Sequence, residues 1–556
     1  MNIKQIVLIF IVLFSALFIR LYQLDQIPFG LNIDEASMGY NAYSLSQTGK
    51  DRYGQSYPVI FRSFGSFQAP LYTYLLVPVV QLFGTNIFAV HLVSALSGFI
   101  IVCCSFLIAY FGSKRNFKLA VLVAIVVGFA PWSILFTRFG TEASLGLALF
   151  VLSIYFFILS LKKISFFIPA AFFLGMTTHA YYSERLISIF FFVGFILIFF
   201  KKFLKNKGWL ILGTAVFIAT LLPHLMVLQS GAFTRRLEQV NYFSEETFLK
   251  QGENLRNLPF GRFLYVIREF SSQYITYFSP KNLFFEADPQ QARSIPNLSV
   301  FYSWMVVPFF AGIFYLVKNK SLEFIKILIL IIAISPIPAS LTRDPFYTLR
   351  TLEFLWSVSF IIAFGIYSIL MRIPYFYVRF GLVIVMLLFS IVSLYTSYFI
   401  LFKYERAENF GYSYIKLLEF IEQNENFSQK KFVVDNSRDL GAGVRIAYLK
   451  RYDPSKLQQT LKVLVGNKYY SSLEFEEKYS LDNIEARPIF WEKDVYEEQI
   501  LIGDNLAISE QQITEHFLKF EFEIKDRQGN VSLKGYSTNP KAKKESDIAK
   551  QIPHSL

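Results

Sequence analysis

Long apolar runs separated by short polar loops fill the first 400 or so positions of the chain, and shorter, mixed apolar patterns replace them from about Tyr404. A run of about 20 apolar residues, helical at 1.5 Å per residue, is what ~30 Å of hydrocarbon requires. Eleven such segments are read, near 4–24, 88–112, 118–137, 143–161, 164–178, 185–200, 208–228, 300–317, 322–341, 349–371 and 375–402. The basic clusters fall into alternate loops: Lys4; Lys114, Arg115 and Lys118; Lys162 and Lys163; Lys201, Lys202, Lys205 and Lys207; Lys318 and Lys320; Arg372 and Arg379. Loops rich in Lys and Arg stay cytoplasmic, so the pattern predicts the N-terminus inside and the C-terminus outside. The first run has one Lys before it and continues to Arg20 without a small-residue cleavage site, which suits an uncleaved signal anchor.

Under this topology the outer face carries residues 25–87, 138–142, 179–184, 229–299, 342–348 and the tail. In the first outer loop, Asp34 to Thr48 places Met38, Tyr40, Tyr43 and Leu45 on a partly apolar stripe with Gly49 as a stop, predicting a short interfacial helix. PLYTYLLVPVVQLFG, from Pro70 to Gly84, is short for a span and is placed as a second interfacial or re-entrant helix. Beyond the spans, YSYIKLLEFIEQ, KFVVD and the mixed patterning to about residue 525 predict a separate α/β domain. The expected division is therefore a membrane domain over 1–403, an extracytoplasmic α/β domain over 404–538 and a Lys-rich, disordered tail over 539–556. The fold class is a polytopic α-helical membrane protein bearing that C-terminal domain.

Composition agrees, with 54% apolar residues, 63 Phe and 33 Tyr. The formal charge of +13 would suggest nucleic acid in a soluble protein, but here it orients helices, and no nucleic-acid partner is expected. The two cysteines, Cys103 and Cys104, are adjacent in an apolar run, where an ordinary disulfide between them is disfavoured. Neither a phosphate-binding GxxxxGK[ST] loop nor a dinucleotide fingerprint occurs, and no outer His/Asp/Glu cluster has metal-ligand spacing. No cofactor is evident, no metal-ligand set is read, and the sequence leaves dependence on a divalent metal open.

The polar residues that remain gather on the outer face. Asp34 and Glu35 read either as a helix N-cap followed by an N1 acid or as a catalytic carboxylate pair. Glu142 opens the fourth span four residues after Arg138: a helix-start acid and a snorkelling arginine, or an acid held by a cation in a site. Arg185 follows Tyr181 and Tyr182 at a membrane boundary, where an aromatic belt and a sugar-stacking surface with a phosphate hook are both consistent. Arg293 with Asp288, and Arg350 at the mouth of the tenth span, suit phosphate oxygens, because a guanidinium binds them bidentately. For Arg293 and Asp288 a loop-stabilising ion pair is the competing reading. His179 and His224 read as hydrogen-bonded boundary residues.

IDEASMGYNAYSL, QAPLYTYLLVPVVQLFG, RFGTEASLG, HAYYSERL, YFSPKNLFFEADPQQARSIP and RDPFYTLRTLEFLW, in that order over roughly residues 1–400, resemble the dolichyl-phosphate-mannose protein mannosyltransferase and aminoarabinose transferase family, glycosyltransferases of the C-type membrane fold. The resemblance implies inverting transfer of a sugar from a polyprenyl-phosphate donor to a protein, glycolipid or glycan acceptor outside the cytoplasm. It implies Asp34 as general base, with Glu35 orienting it or replacing it. It also places Glu142, Arg138 and Arg350 toward substrate, while Tyr182 and Arg185 are substrate-binding candidates by their chemistry. In one respect the chain departs from the family: a Lys often precedes the PLY element, whereas here Gln68 does. A neutral amide cannot neutralise a phosphate, so Arg62, Arg185 or Arg350 is expected to compensate. A transporter or flippase for a lipid-linked sugar, and a ligase or polymerase using a lipid diphosphate, remain the alternatives.

Overall fold

Each of the eleven apolar runs is helical in the computed structural model, which describes residues 2–551 apart from 244–245, 256, 320–322, 428, 466–467 and 472–477. Lys320, Ile552 and Leu556 lie outside the described residues. Helix α1 (Ile3–Leu21) opens on a capping box in which Asn2 and Gln5 satisfy one another's amides. It is followed by α2 (Ile33–Thr48), α3 (Pro70–Phe83) and α4 (Ile87–Gly112). Seven of the described helices are long and apolar enough to cross a membrane, so the protein is a multi-pass membrane protein. Two of the runs are broken by proline: Pro131 restarts a helix after Phe117–Phe129, and Pro336 does so after Glu323–Ile334. The long loop expected at 229–299 contains helices at Arg235–Val240, Glu246–Asn254, Gly261–Thr276 and Pro280–Phe284.

The chain divides into two compact units, of which the membrane unit comprises Met1–Ile27, Ala69–Tyr72 and His91–Phe402. The second unit joins Pro28–Gln68 and Thr73–Val90 to Lys403–Leu556, so most of the first outer loop belongs with the C-terminal domain. Within this second unit a six-stranded sheet runs in the order β4 (Tyr479–Leu481), β5 (Ile484–Ala486), β3 (Phe432–Val434), β6 (Ile500–Gly503), β8 (Val531–Ser537), β7 (Lys519–Lys525). Strands β5, β3 and β6 are parallel, and the outer pairs are antiparallel. Two further short strands, β1 (Phe61–Ser63) and β2 (Ser66–Gln68), form a hairpin that the sequence reading did not anticipate.

Helix α2 has the expected C-terminal stop, with Gly49 in the left-handed region at φ 68°. Its apolar residues are buried on more than one stripe, because they enter the core of the α/β domain: Ala36 and Tyr40 cluster with Tyr414, Ala447, Tyr448 and Leu457. Gly39 permits the approach, since a Cβ there would lie 3.0 Å from the Tyr448 ring and from Val90. Polar contacts fix the register: Gln458 Nε2 donates to Thr48 Oγ1 (2.8 Å), and Arg445 Nε donates to the Leu31 carbonyl (2.8 Å). Beyond β8, where composition predicted disorder, the chain forms helix Pro540–Gln551, tied by the ion pair of Lys543 with Asp547 at 3.1 Å.

Just beyond strand β5 lies a buried ion pair with a pH-dependent consequence. Arg487 grips Asp494 bidentately at 2.7 and 2.8 Å, and its Nε donates to Glu485 at 2.7 Å. Burial pushes the Asp494 carboxyl up, but Arg487 and the Phe490 amide outweigh it and hold the carboxyl below its ordinary value; Glu485 is likewise lowered. A depressed folded-state pKa stabilises the fold above the unfolded value and is lost as pH falls through the folded one. Amide exchange over residues 484–503 in the full-length protein should therefore accelerate below about pH 4, and Asp494→Asn should flatten that acid limb. Asp494→Ala leaves Arg487 with Glu485 as a carboxylate partner, so it should cost less than the about 3–5 kcal/mol of a buried charge left unpaired.

Candidate active site

Asp34 lies one residue inside the start of α2 and is exposed, whereas Glu35 is fully buried. The N-cap is Asn32, not Asp34: Asn32 Oδ1 accepts from the Glu35 amide (2.9 Å), and Glu35 Oε2 accepts from the Asn32 amide (2.7 Å). Glu35 is thus engaged in the capping box, and Asp34 is placed at the positive end of the helix dipole with its carboxylate facing outward. Gln68, at the end of β2, reaches back to it, donating from Nε2 to Asp34 Oδ1 at 3.1 Å. The amide thus stands beside the acid as its hydrogen-bond donor. Arg62, expected as the compensating charge, is buried in β1, where its Nη1 donates to the Tyr469 carbonyl at 3.4 Å. The guanidinium connected to Gln68 is that of Arg52, through Ser37. The sequence reading named neither residue.

In the membrane unit Arg138 and Arg20 brace helix ends. Arg138 is fully buried and spans the C-terminal end of α1: its Nη1 donates to the Ile19 carbonyl, and its Nη2 donates to those of Tyr22 (2.7 Å) and Ile27 (3.2 Å). It neither snorkels nor holds Glu142; it closes the carbonyl end of a helix whose last peptide oxygens lack intrahelical partners. Arg20 is a second such brace, bonding Ser133 Oγ at 2.8 Å and the Gly128 carbonyl at 3.2 Å.

Arg185, Arg293 and Arg350 are arranged differently. Arg293 and Arg350 lie on the Tyr347 ring, 3.4 and 3.8 Å from its centroid. Asp288 holds Arg293 (Oδ1 to Nη2, 3.2 Å) and also accepts from Thr348 Oγ1 (2.7 Å) and the Thr348 amide (3.2 Å). The ion pair considered from sequence is therefore present, and it fixes the 288–293 turn to the segment that carries Arg350. Arg185 lies over Tyr182 and Phe233, 4.2 and 4.1 Å from their centroids, and its Nη1 donates to the Phe233 carbonyl. Nε and Nη2 of Arg185 and Nη1 of Arg350 are buried donors with no hydrogen-bond partner among the described residues. Burial pushes the Tyr182 phenol up to about 12, with the Arg185 charge opposing and Glu142 reinforcing. Tyr181 is raised by burial and by Tyr347, while Arg350 and Arg236 oppose. Glu142, Tyr182, Arg185 and Arg350 thus share one electrostatic neighbourhood, to which Arg293 connects through Tyr347. Buried guanidinium donors without acceptors are what a phosphate would satisfy.

His179 and His224 stack at 4.2 Å and bond the Thr220 carbonyl and Thr178 Oγ1, which is a structural arrangement. Among the described residues no group of His, Cys, Asp and Glu has the geometry of a metal site.

The fold is that of the C-type membrane glycosyltransferases. The chain is similar to ArnT from Cupriavidus metallidurans bound to undecaprenyl phosphate, at TM-score 0.56 and 10% identity over 95% of this chain and 97% of that one. It is also similar to the archaeal oligosaccharyltransferase AglB from Archaeoglobus fulgidus in complex with an inhibitory peptide and a dolichol-phosphate, at TM-score 0.50 and 12% identity over 100% of this chain and 75% of that one. No family model matches the chain, and no curated protein matches it by sequence.

Proposed function

We propose that the protein transfers a sugar from a polyprenyl-phosphate donor to an acceptor hydroxyl at the extracytoplasmic membrane face. The acceptor oxygen bonds to the anomeric carbon from the side opposite the phosphate, with inversion. The carbon–oxygen bond to the phosphate breaks, and its electron pair leaves with the lipid. Asp34 takes the hydroxyl proton. Arg185 and Arg350, which keep buried donors without acceptors, stabilise the charge that grows on the departing phosphate. Those unsatisfied guanidinium donors carry the reading of an anionic lipid phosphate; consumption of the donor, and not its binding, separates transfer from flipping. The two similar structures hold polyprenyl phosphates, which supports the same class of donor here. The acceptor class is a protein, a glycolipid or a glycan.

The test is incubation of the purified protein with a panel of polyprenyl-phosphate sugars and acceptors, with donor consumption followed by mass spectrometry. Conversion of at least one monophosphate donor to free polyprenyl phosphate is expected. Consumption of diphosphate-linked donors alone would establish the ligase or polymerase reading instead, and movement of intact donor across vesicles without consumption would establish a flippase.

A further inference from the structure

We infer that Arg52 and Ser37 are positioning residues for Asp34, acting through Gln68 as a one-way hydrogen-bond relay; the inference rests on the reading of Asp34 as a base. Arg52 Nη1 donates to Ser37 Oγ at 2.6 Å, Ser37 Oγ donates to Gln68 Oε1 at 2.8 Å, and Gln68 Nε2 donates to Asp34 Oδ1 at 3.1 Å. A guanidinium can only donate. Its bond occupies a lone pair of the Ser37 oxygen and turns the hydroxyl proton toward Gln68, whose carbonyl is 2.8 Å away against 3.3 Å for Ser63 Oγ. With its carbonyl so engaged, the amide can present only its NH₂ to the carboxylate. Without that constraint the amide is free to turn its oxygen toward Asp34, where two acceptors would repel.

The position of the parts fits this role. Ser37 lies one helical turn beyond Asp34, on the same face of α2. The β1–β2 hairpin delivers Gln68, and Arg52 and Ser37 are both completely buried. The Arg52 guanidinium is further fixed over the Tyr53 and Phe64 rings, 5.0 and 5.3 Å from their centroids. A buried guanidinium thereby orients, through a hydroxyl and an amide, the donor that meets the exposed acid.

The experiment labels the full-length protein with a water-soluble carbodiimide and an amine across mildly acidic to mildly alkaline pH, and reads modification of Asp34 by peptide fragmentation. Only the protonated carboxyl reacts, so the labelling midpoint reports ionisation whether or not a sugar donor is ever found. Ser37→Ala and Arg52→Gln should each raise Asp34 labelling about tenfold at a fixed acidic pH, equivalent to a midpoint one unit higher. Gln68→Lys added to Ser37→Ala should return labelling to the wild-type level, because it supplies the charge directly. With a donor that the wild type consumes, Ser37→Ala should lower kcat about tenfold and leave KM unchanged. Wild-type labelling in both Ser37→Ala and Arg52→Gln overturns the relay. Labelling raised in Ser37→Ala but not reversed by Gln68→Lys also overturns it, since that pattern is general loosening. Normal labelling shifts with no donor ever consumed leave the relay standing and count against the proposed reaction alone.

Discussion

Asp34→Asn protein is expected to insert, fold and bind polyprenyl phosphate as the wild type does, and to lose sugar transfer by a factor of about 10²–10⁴, the usual contribution of a positioned general base. The fold should tolerate the change because Asp34 is exposed and does not cap α2; Asn32 and Glu35 do. What the substitution removes from stability is one charge in the first turn of a helix, worth about 0.3–1 kcal/mol. What it removes from the reaction is the carboxylate proposed to accept the proton, while the Gln68 amide still bonds a side chain of the same shape. Donor consumption measured beside thermal unfolding separates these effects. A well-folded Asp34→Asn protein with full activity excludes Asp34 as the base. Glu35 is a poor substitute: fully buried and engaged in the capping box, it would have to surrender a 2.7 Å bond to the Asn32 amide to reach an acceptor.

Some of this was legible along the chain, and the residues show why the rest was not. The spans were legible because hydrocarbon imposes length and polarity locally, so a twenty-residue window contains the whole argument. Helix α2 was legible to within one residue, since its stop at Gly49 is a local conformational requirement. Its cap was misplaced at Asp34 because the Asn-x-x-Glu spacing from Asn32 to Glu35, the signal of a capping box, begins two residues before the acid pair that draws attention. The C-terminal helix Pro540–Gln551 was missed because its charges read as a solvated tail, whereas Lys543 is buried beside Asp547. Arg138 illustrates the nonlocal limit. Sequence places it at the end of a span near Glu142, but its carbonyl acceptors are more than 110 positions earlier, at the end of α1 and in the segment that follows it. Arg52 was passed over for a similar reason. The departure at Gln68 signalled that a charge was missing, and the nearest candidate by type was Arg62, yet the contacts that make the hairpin and α2 neighbours select Arg52.

Arg350→Ala and Asp288→Ala are expected to damage the same function by different routes. Arg350 contributes a buried donor without an acceptor and a stacking contact on Tyr347, and the ion pair below it is made by Arg293 instead. Removing Arg350 should therefore leave the unfolding midpoint close to that of the wild type and abolish most of the stabilisation that added undecaprenyl phosphate confers, since a ligand stabilises only in proportion to its affinity for the folded state. Asp288 is different because its carboxylate satisfies the Arg293 guanidinium, the Thr348 amide and hydroxyl, and the Gln290 amide at once. Asp288→Ala leaves that guanidinium buried and uncompensated, with its side chain only 9% exposed, and frees the turn that places Arg350. A loss of about 3–5 kcal/mol is expected, together with loss of the lipid-dependent shift. Thermal unfolding with and without undecaprenyl phosphate distinguishes the two: a lowered midpoint with no response for Asp288→Ala, and a preserved midpoint with no response for Arg350→Ala. A wild-type response to the lipid in Arg350→Ala would remove that arginine from the phosphate site and leave Arg185 as the buried donor that a departing phosphate meets.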